Sequence, residues 1–239
     1  MKNLVVTLLA MHIFCSCQKD NLIVPENGSL DISFENFVDN EPLALNKKYL
    51  SPSNDTFSVQ QFKYYISNVS LYTSGKIYTE KLSYHLIEHG KKQKFQLLEI
   101  PVGSYDSLKF SIGIDSSHNH RIDFTGDLDP NNNMVWDWNS GYKFLLMEGN
   151  FYGPTSITGL VFHIGNDINY RTIRLSAPIH VVKGKPSNVS IKSDINGMFR
   201  SPHPIDFDII NEAMFGTNTT LIANNYKQGM FSVRQIINP

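Results

Sequence analysis

The chain has 239 residues and a mass of 27.2 kDa, room for one large domain or two small ones. Hydrophobic residues make up 41% and aromatics 12%, with only 18% charged, which excludes a disordered tail and a coiled coil. Against 21 basic residues stand 22 acidic ones, a net charge of -1 that excludes a nucleic-acid partner held by a broad basic face, and both cysteines lie within the first 17 residues, so the body has no disulfide and no Cys-based metal site.

Met1-Lys2-Asn3 leads into an apolar run from Leu4 to Phe14, followed by Cys15-Ser16-Cys17. A run of about eleven apolar residues is too short for a bilayer, which needs roughly 20, and fits the core of a secretory signal. Cys17, preceded by small Ser16, resembles a bacterial lipoprotein cleavage site better than Cys15, preceded by Phe14. An ordinary signal peptide with stray cysteines is the alternative. Residues 1–16 are expected to be removed, Cys17 to carry the lipid, residues 17–29 to form a tether and 30–239 a single domain. Gln18-Lys19-Asp20 resembles the charged tag that sends some lipoproteins to the outer face of the outer membrane. The expected location is therefore the outer membrane, facing periplasm or cell surface, with the lipid anchor as the membrane contact.

Leu30 to Phe37 alternates apolar and polar residues, the period of a half-buried strand. Further strands are expected at 62–72, 95–100, 108–114, 142–151, 157–164, 172–175, 179–182 and 189–195. Short Tyr-, Phe-, Ile- and Val-rich runs between Gly, Pro, Asn and Asp clusters predict an all-β antiparallel sandwich or barrel. Helical spacing is convincing only from Asn218 to Met230, which predicts one short C-terminal helix. Sequons at Asn27, Asn54, Asn68, Asn188 and Asn218 read as Asn-rich turns in a chain with a bacterial lipoprotein start.

The segment from Asp115 to Gly149 gathers His118, His120, Trp136 and Trp138 between two strands, where binding loops lie. His118 and His120 are two apart, so on extended chain they share a face and could ligate copper or zinc; solvated loop histidines are the alternative. Asp123, Asp127 and Asp129 offer hard oxygens suited to calcium, although the same residues form turns without an ion. Trp136 and Trp138 flank Asp137 and would point the same way on extended chain, as core or as a site wall. His163 closes an apolar strand in Phe162-His163-Ile164-Gly165, and His203 stands between Pro202 and Pro204. No phosphate loop, nucleophile elbow or zinc-protease helix motif is present; a hydrolase using two carboxylates is unsupported rather than excluded, and a protein without turnover of its own is expected.

The runs FKYYISNVSLY, GDLDPNNNMVWDWNSGYKFLLMEG, FHIG and LIANNY followed by MF resemble the MbnP-like copper-binding domain over about Leu30 to Ile236. The resemblance implies an antiparallel β-sandwich in which histidines and an oxidised tryptophan, converted to kynurenine, hold one copper ion. By motif, His163 is the ligand and Trp136 or Trp138 the tryptophan oxidised, with a diheme peroxidase-like protein as the oxidising partner. Copper-binding relatives carry another His on the first strand, where this chain has Phe34-Glu35-Asn36, so His118, His120 or His203 would have to substitute. The implied function is extracytoplasmic copper binding or handling. The alternative is a cell-surface structural or interaction lipoprotein that keeps the fold without metal.

Overall fold

The computed structural model describes residues 26–121 and 123–239. The signal segment, Cys15, Cys17 and the tether up to residue 25 lie outside the described residues. Among the described residues, no helix is long and apolar enough to cross a membrane.

The strands in chain order are β1 (Asn27–Val38), β2 (Glu41–Pro42), β3 (Lys48–Leu50), β4 (Thr56–Thr73), β5 (Lys76–Thr79), β6 (Tyr84–Glu88), β7 (Lys94–Pro101) and β8 (Gly103–Ile112). A single helical turn, α1 (Ser116–Asn119), precedes β9 (Val135–Asp137), β10 (Gly141–Tyr152), β11 (Ile157–Gly165), β12 (Arg171–Val181) and β13 (Ser187–Asp194). Then come β14 (Glu212–Ala213), helix α2 (Thr217–Gly229) and β15 (Phe231–Ile237).

Two sheets form a sandwich. In the smaller, β15, β13 and β1 are adjacent, and β7 and β2 pair along β1. The larger runs β12-β8-β4-β10-β11-β14, with β3, β5 and β6 paired to β4 and β9 to β10. Leu30, Ile32 and Phe34 of β1 are buried at alternate positions, as the period of two requires. They meet Tyr64, Phe110 and Phe231, whose rings pack around Phe34 at 5.6–6.2 Å.

The expected purely antiparallel pattern does not hold. β1 runs parallel to β13, and β11 parallel to β14. A parallel pair needs a long crossover, and nearly the whole large sheet lies between β1 and β13, a connection local strand patterns do not reveal. The tether ends earlier than expected, since residues 27–29 already belong to β1. The two strands expected at 172–175 and 179–182 are one strand, β12, whose register shifts between Ser176 and Ile179, around Pro178, the irregularity that lets a strand carry a proline. The C-terminal helix lies within one residue of its expected bounds.

β4 explains why the large sheet has two covered faces. Its run Phe62 to Ile66 is buried without alternation, the mark of a strand covered on both sides. Tyr64, Leu145 and Ile164, aligned across β4, β10 and β11, join the core between the sheets. Tyr65, Tyr142, Phe144 and Leu146 point the other way, into a second apolar cluster with Ile114, Leu128 and Met134. That cluster is roofed by the segment 115–140, the same stretch whose composition stands out in the sequence.

Candidate metal centre

His163 sits on the outer face of the large sheet, aligned with Leu146 of β10 and Lys63 of β4. Its Nε2 lies 2.7 Å from Glu148 Oε1. With Nε2–H donating to that carboxylate, the lone pair is on Nδ1, the arrangement by which carboxylates orient metal-binding imidazoles. Among the described residues no group hydrogen-bonds Nδ1. Burial lowers the His163 pKa, and the Glu148 hydrogen bond opposes that only in part, so the ring is neutral and able to ligate at neutral pH.

Gly165 follows two residues later on the same strand face. A Cβ there would lie 2.4 Å from Trp136 Cζ3 and 2.6 Å from the Tyr142 carbonyl oxygen, so the bare glycine lets the Trp136 indole lie across the end of β11. Phe215, 57% exposed, covers the indole from outside with ring centroids 4.9 Å apart. Trp136 is thus held on β11 at Gly165, two residues along the strand from His163. Trp138 is not on extended chain: it lies in the turn between β9 and β10, 67% exposed, and the two indoles do not form a common wall. Asp137 fixes that turn by accepting from the backbone N–H of Asn139 and Ser140 at 2.8 and 2.6 Å.

The other histidines lie elsewhere. His118 belongs to α1 and His120 caps it; residues two apart on a helical turn do not share a face, which removes the shared-face argument. His118 Nδ1 contacts Tyr84, Ser117 and Asp115, whereas His120 Nε2 is 3.4 Å from Asp167. His203 is clamped through its backbone: its N–H donates to Asn225 Oδ1 at 2.9 Å and its carbonyl accepts from Asn225 Nδ2 at 2.6 Å. Asn36, one of the three first-strand residues Phe34-Glu35-Asn36, faces the core, where its Oδ1 accepts from Tyr64 at 3.0 Å. Tyr64 and His163 are on opposite faces of the large sheet, so that position and His163 cannot share an ion.

The acidic residues considered for calcium are committed separately: Asp123 to Arg121, Asp127 to Lys92, and Asp129 to the backbone of Asn131. Among the described residues, the one group of three His, Cys, Asp or Glu side chains within 4.8 Å is Asp55, Asp206 and Asp208, which includes no histidine. The donor set around His163 therefore fits an open contact with one imidazole and a carboxylate behind it, and does not fit a closed cage of several nitrogens.

Sequence reasoning missed Glu148, Gly165 and Phe215. Two of them leave a trace: Glu148 is the lone charge in the apolar run Phe144 to Gly149, and Gly165 ends an otherwise bulky strand. Phe215 has no such signal, because it reaches Trp136 only through the parallel pairing of β14 with β11.

The MbnP family profile matches residues 27–220. Among solved structures, MbnP from Methylosinus trichosporium has the same fold, with a TM-score of 0.57 and 15% identity, covering 80% of this chain and 82% of that one. No curated protein sequence matches.

Proposed function

Because the chain belongs to the MbnP family, we propose that it is a lipid-anchored, extracytoplasmic, non-enzymatic copper-handling protein whose metal contact is His163. The observation that carries this is the adjacency of the family's two motifs. Trp136 of the Trp-x-Trp block lies on Gly165 of the Phe-His-x-Gly strand end, two residues along the strand from an imidazole whose Nδ1 lone pair is set by Glu148. Copper accepts imidazole readily. One imidazole holds it loosely, which suits a site that passes copper on rather than storing it. Trp136, covered but not sealed by Phe215, is the tryptophan proposed for oxidation by a diheme peroxidase-like partner. Cys17 is the proposed lipid attachment point, which Cys17→Ser should release from the membrane fraction.

Electron paramagnetic resonance of the chain with Cu(II) tests the site. Coupling to a single imidazole nitrogen, lost in His163→Gln and kept in His118→Ala and His203→Ala, is expected. Coupling to several imidazoles, or indifference to His163→Gln, would contradict it. That the one cluster of three potential ligands among the described residues contains no histidine favours a second reading, a cell-surface interaction lipoprotein without metal, which a complete lack of specific copper coupling would support.

A further inference from the structure

A separate cavity of about 210 Å³ opens beside the segment 115–128, lined by Tyr84, His118, Phe124 and Leu128, with Leu82, Thr125 and Asp127 at its margins. Three features there bear on what it could hold. The first is His118. Tyr84 Oη donates to Asp115 Oδ2 at 2.5 Å, and Ser117 Oγ donates to Asp115 Oδ1. Both hydroxyl protons are spent on the carboxylate, yet both oxygens lie 2.8 Å from His118 Nδ1. Nδ1 must therefore be the donor, with Asp115 Oδ1 also within reach at 3.3 Å, and in the neutral ring the lone pair is then on Nε2. Among the described residues, nothing hydrogen-bonds Nε2.

The second feature is Leu82, which is 84% exposed and has a φ of 50°. A leucine in the left-handed region is strained, and glycine or asparagine would sit there at less cost. Here the backbone is bent to hold an apolar side chain out in water at the rim of the cavity. The third is the charge balance. Asp127, the carboxylate at the margin, is neutralised by Lys92 at 2.5 Å and also accepts from the Leu86 N–H at 3.0 Å.

We propose that this cavity binds a small neutral aromatic group bearing one hydrogen-bond donor, a phenol or its like, with the ring between Tyr84, Phe124 and Leu82 and the donor on His118 Nε2. Neutrality follows because Asp127 is compensated by Lys92 and Arg121, 4.6 Å over the Phe124 ring, by Asp123; the aromatic walls select a ring, and the volume admits little more than one. The lone pair on Nε2 selects the donor.

Fluorine NMR of 4-fluorophenol and of 4-fluorotoluene, which lacks the donor, tests this on the chain carrying Cys17→Ser, so that no detergent competes for the probes. Saturable binding of 4-fluorophenol, roughly fivefold tighter than 4-fluorotoluene, is expected for one net hydrogen bond. His118→Phe should erase that preference. Leu82→Gly, at an exposed position that does not threaten folding, should weaken both probes while raising the melting temperature by about 2 °C as the strain is released. Equal affinity for the two probes, no saturable binding, a preference that survives His118→Phe, or affinities unchanged by Leu82→Gly would each overturn the proposal.

Discussion

His89 lies with its Nδ1 3.2 Å from Asn36 Nδ2, so the ring must be the acceptor there and therefore neutral. Burial lowers its pKa from the ordinary 6.5, with the Leu43 carbonyl opposing, and burial lowers that of His163 as well. The unfolded chain takes up these protons near pH 6.5 while the folded chain resists them, so stability falls as pH drops below 6.5. Thermal unfolding from pH 7.5 to 5 should show a falling melting temperature, with a shallower slope in His89→Gln. A flat or rising profile would contradict the buried neutral imidazoles. Asp115 acts in a lower window. Burial pushes its carboxyl up, but hydrogen bonds from Ser117, Tyr84, Asn68 and His118 outweigh that and hold it well below the usual 3.8; its contribution is present above 3.8 and is lost as pH falls further. His163 was singled out by the family motif, whereas its place at the end of an apolar strand read as a hydrogen-bonded core histidine. The sequence did not reveal that Asn36 faces the core, because that depends on Tyr64, 28 residues away, nor that His118 lies on a helical turn, because one turn closed on the Asp115 carbonyl is too short to leave a helical period.

At the scale of elements, the contact between β9 and β11 depends on Gly165. Gly165→Ala should cost about 1–3 kcal/mol by overpacking and shift Trp136 fluorescence, since the added Cβ would meet the indole at 2.4 Å. Gly159→Ala, on the same strand, is the control: its Cβ meets only Val161, at 3.8 Å. Equal stability of the two variants would mean that the indole is not held on β11. Long strands were legible wherever one face alternates or the whole run is apolar, as in β1, β4, β10 and β11. β15 was not, because its register against β13 shifts between Ser190 and Ile191 and breaks the apolar period. β5 and β6 were hidden for another reason: each is five residues or fewer and is held by pairing to β4 rather than by its own pattern.

Across the whole molecule, the large sheet separates two environments. Its inner face builds the core with the small sheet, and its outer face carries the second apolar cluster, the segment 115–140, His163 and the packing of Trp136 on Gly165. The sandwich class was legible from strand composition and turn spacing, whereas the mixed pairing was not, since parallel neighbours are set by a crossover spanning most of the chain. Of the candidate site, the motif named His163 with Trp136 or Trp138; that Trp136 is the one packed on β11, and that the one cluster of three potential ligands among the described residues holds no histidine, appears only in three dimensions. The central claim is that one imidazole on the outer face of the large sheet carries the copper contact. Titration of the purified chain with Cu(I) and Cu(II) against a competing chelator tests it most directly. Binding of one equivalent, weak enough for the chelator to remove, abolished by His163→Gln and unchanged in the combined His118→Ala, His120→Ala and His203→Ala variant, is the predicted result. No saturable binding, or binding that survives His163→Gln, would contradict it.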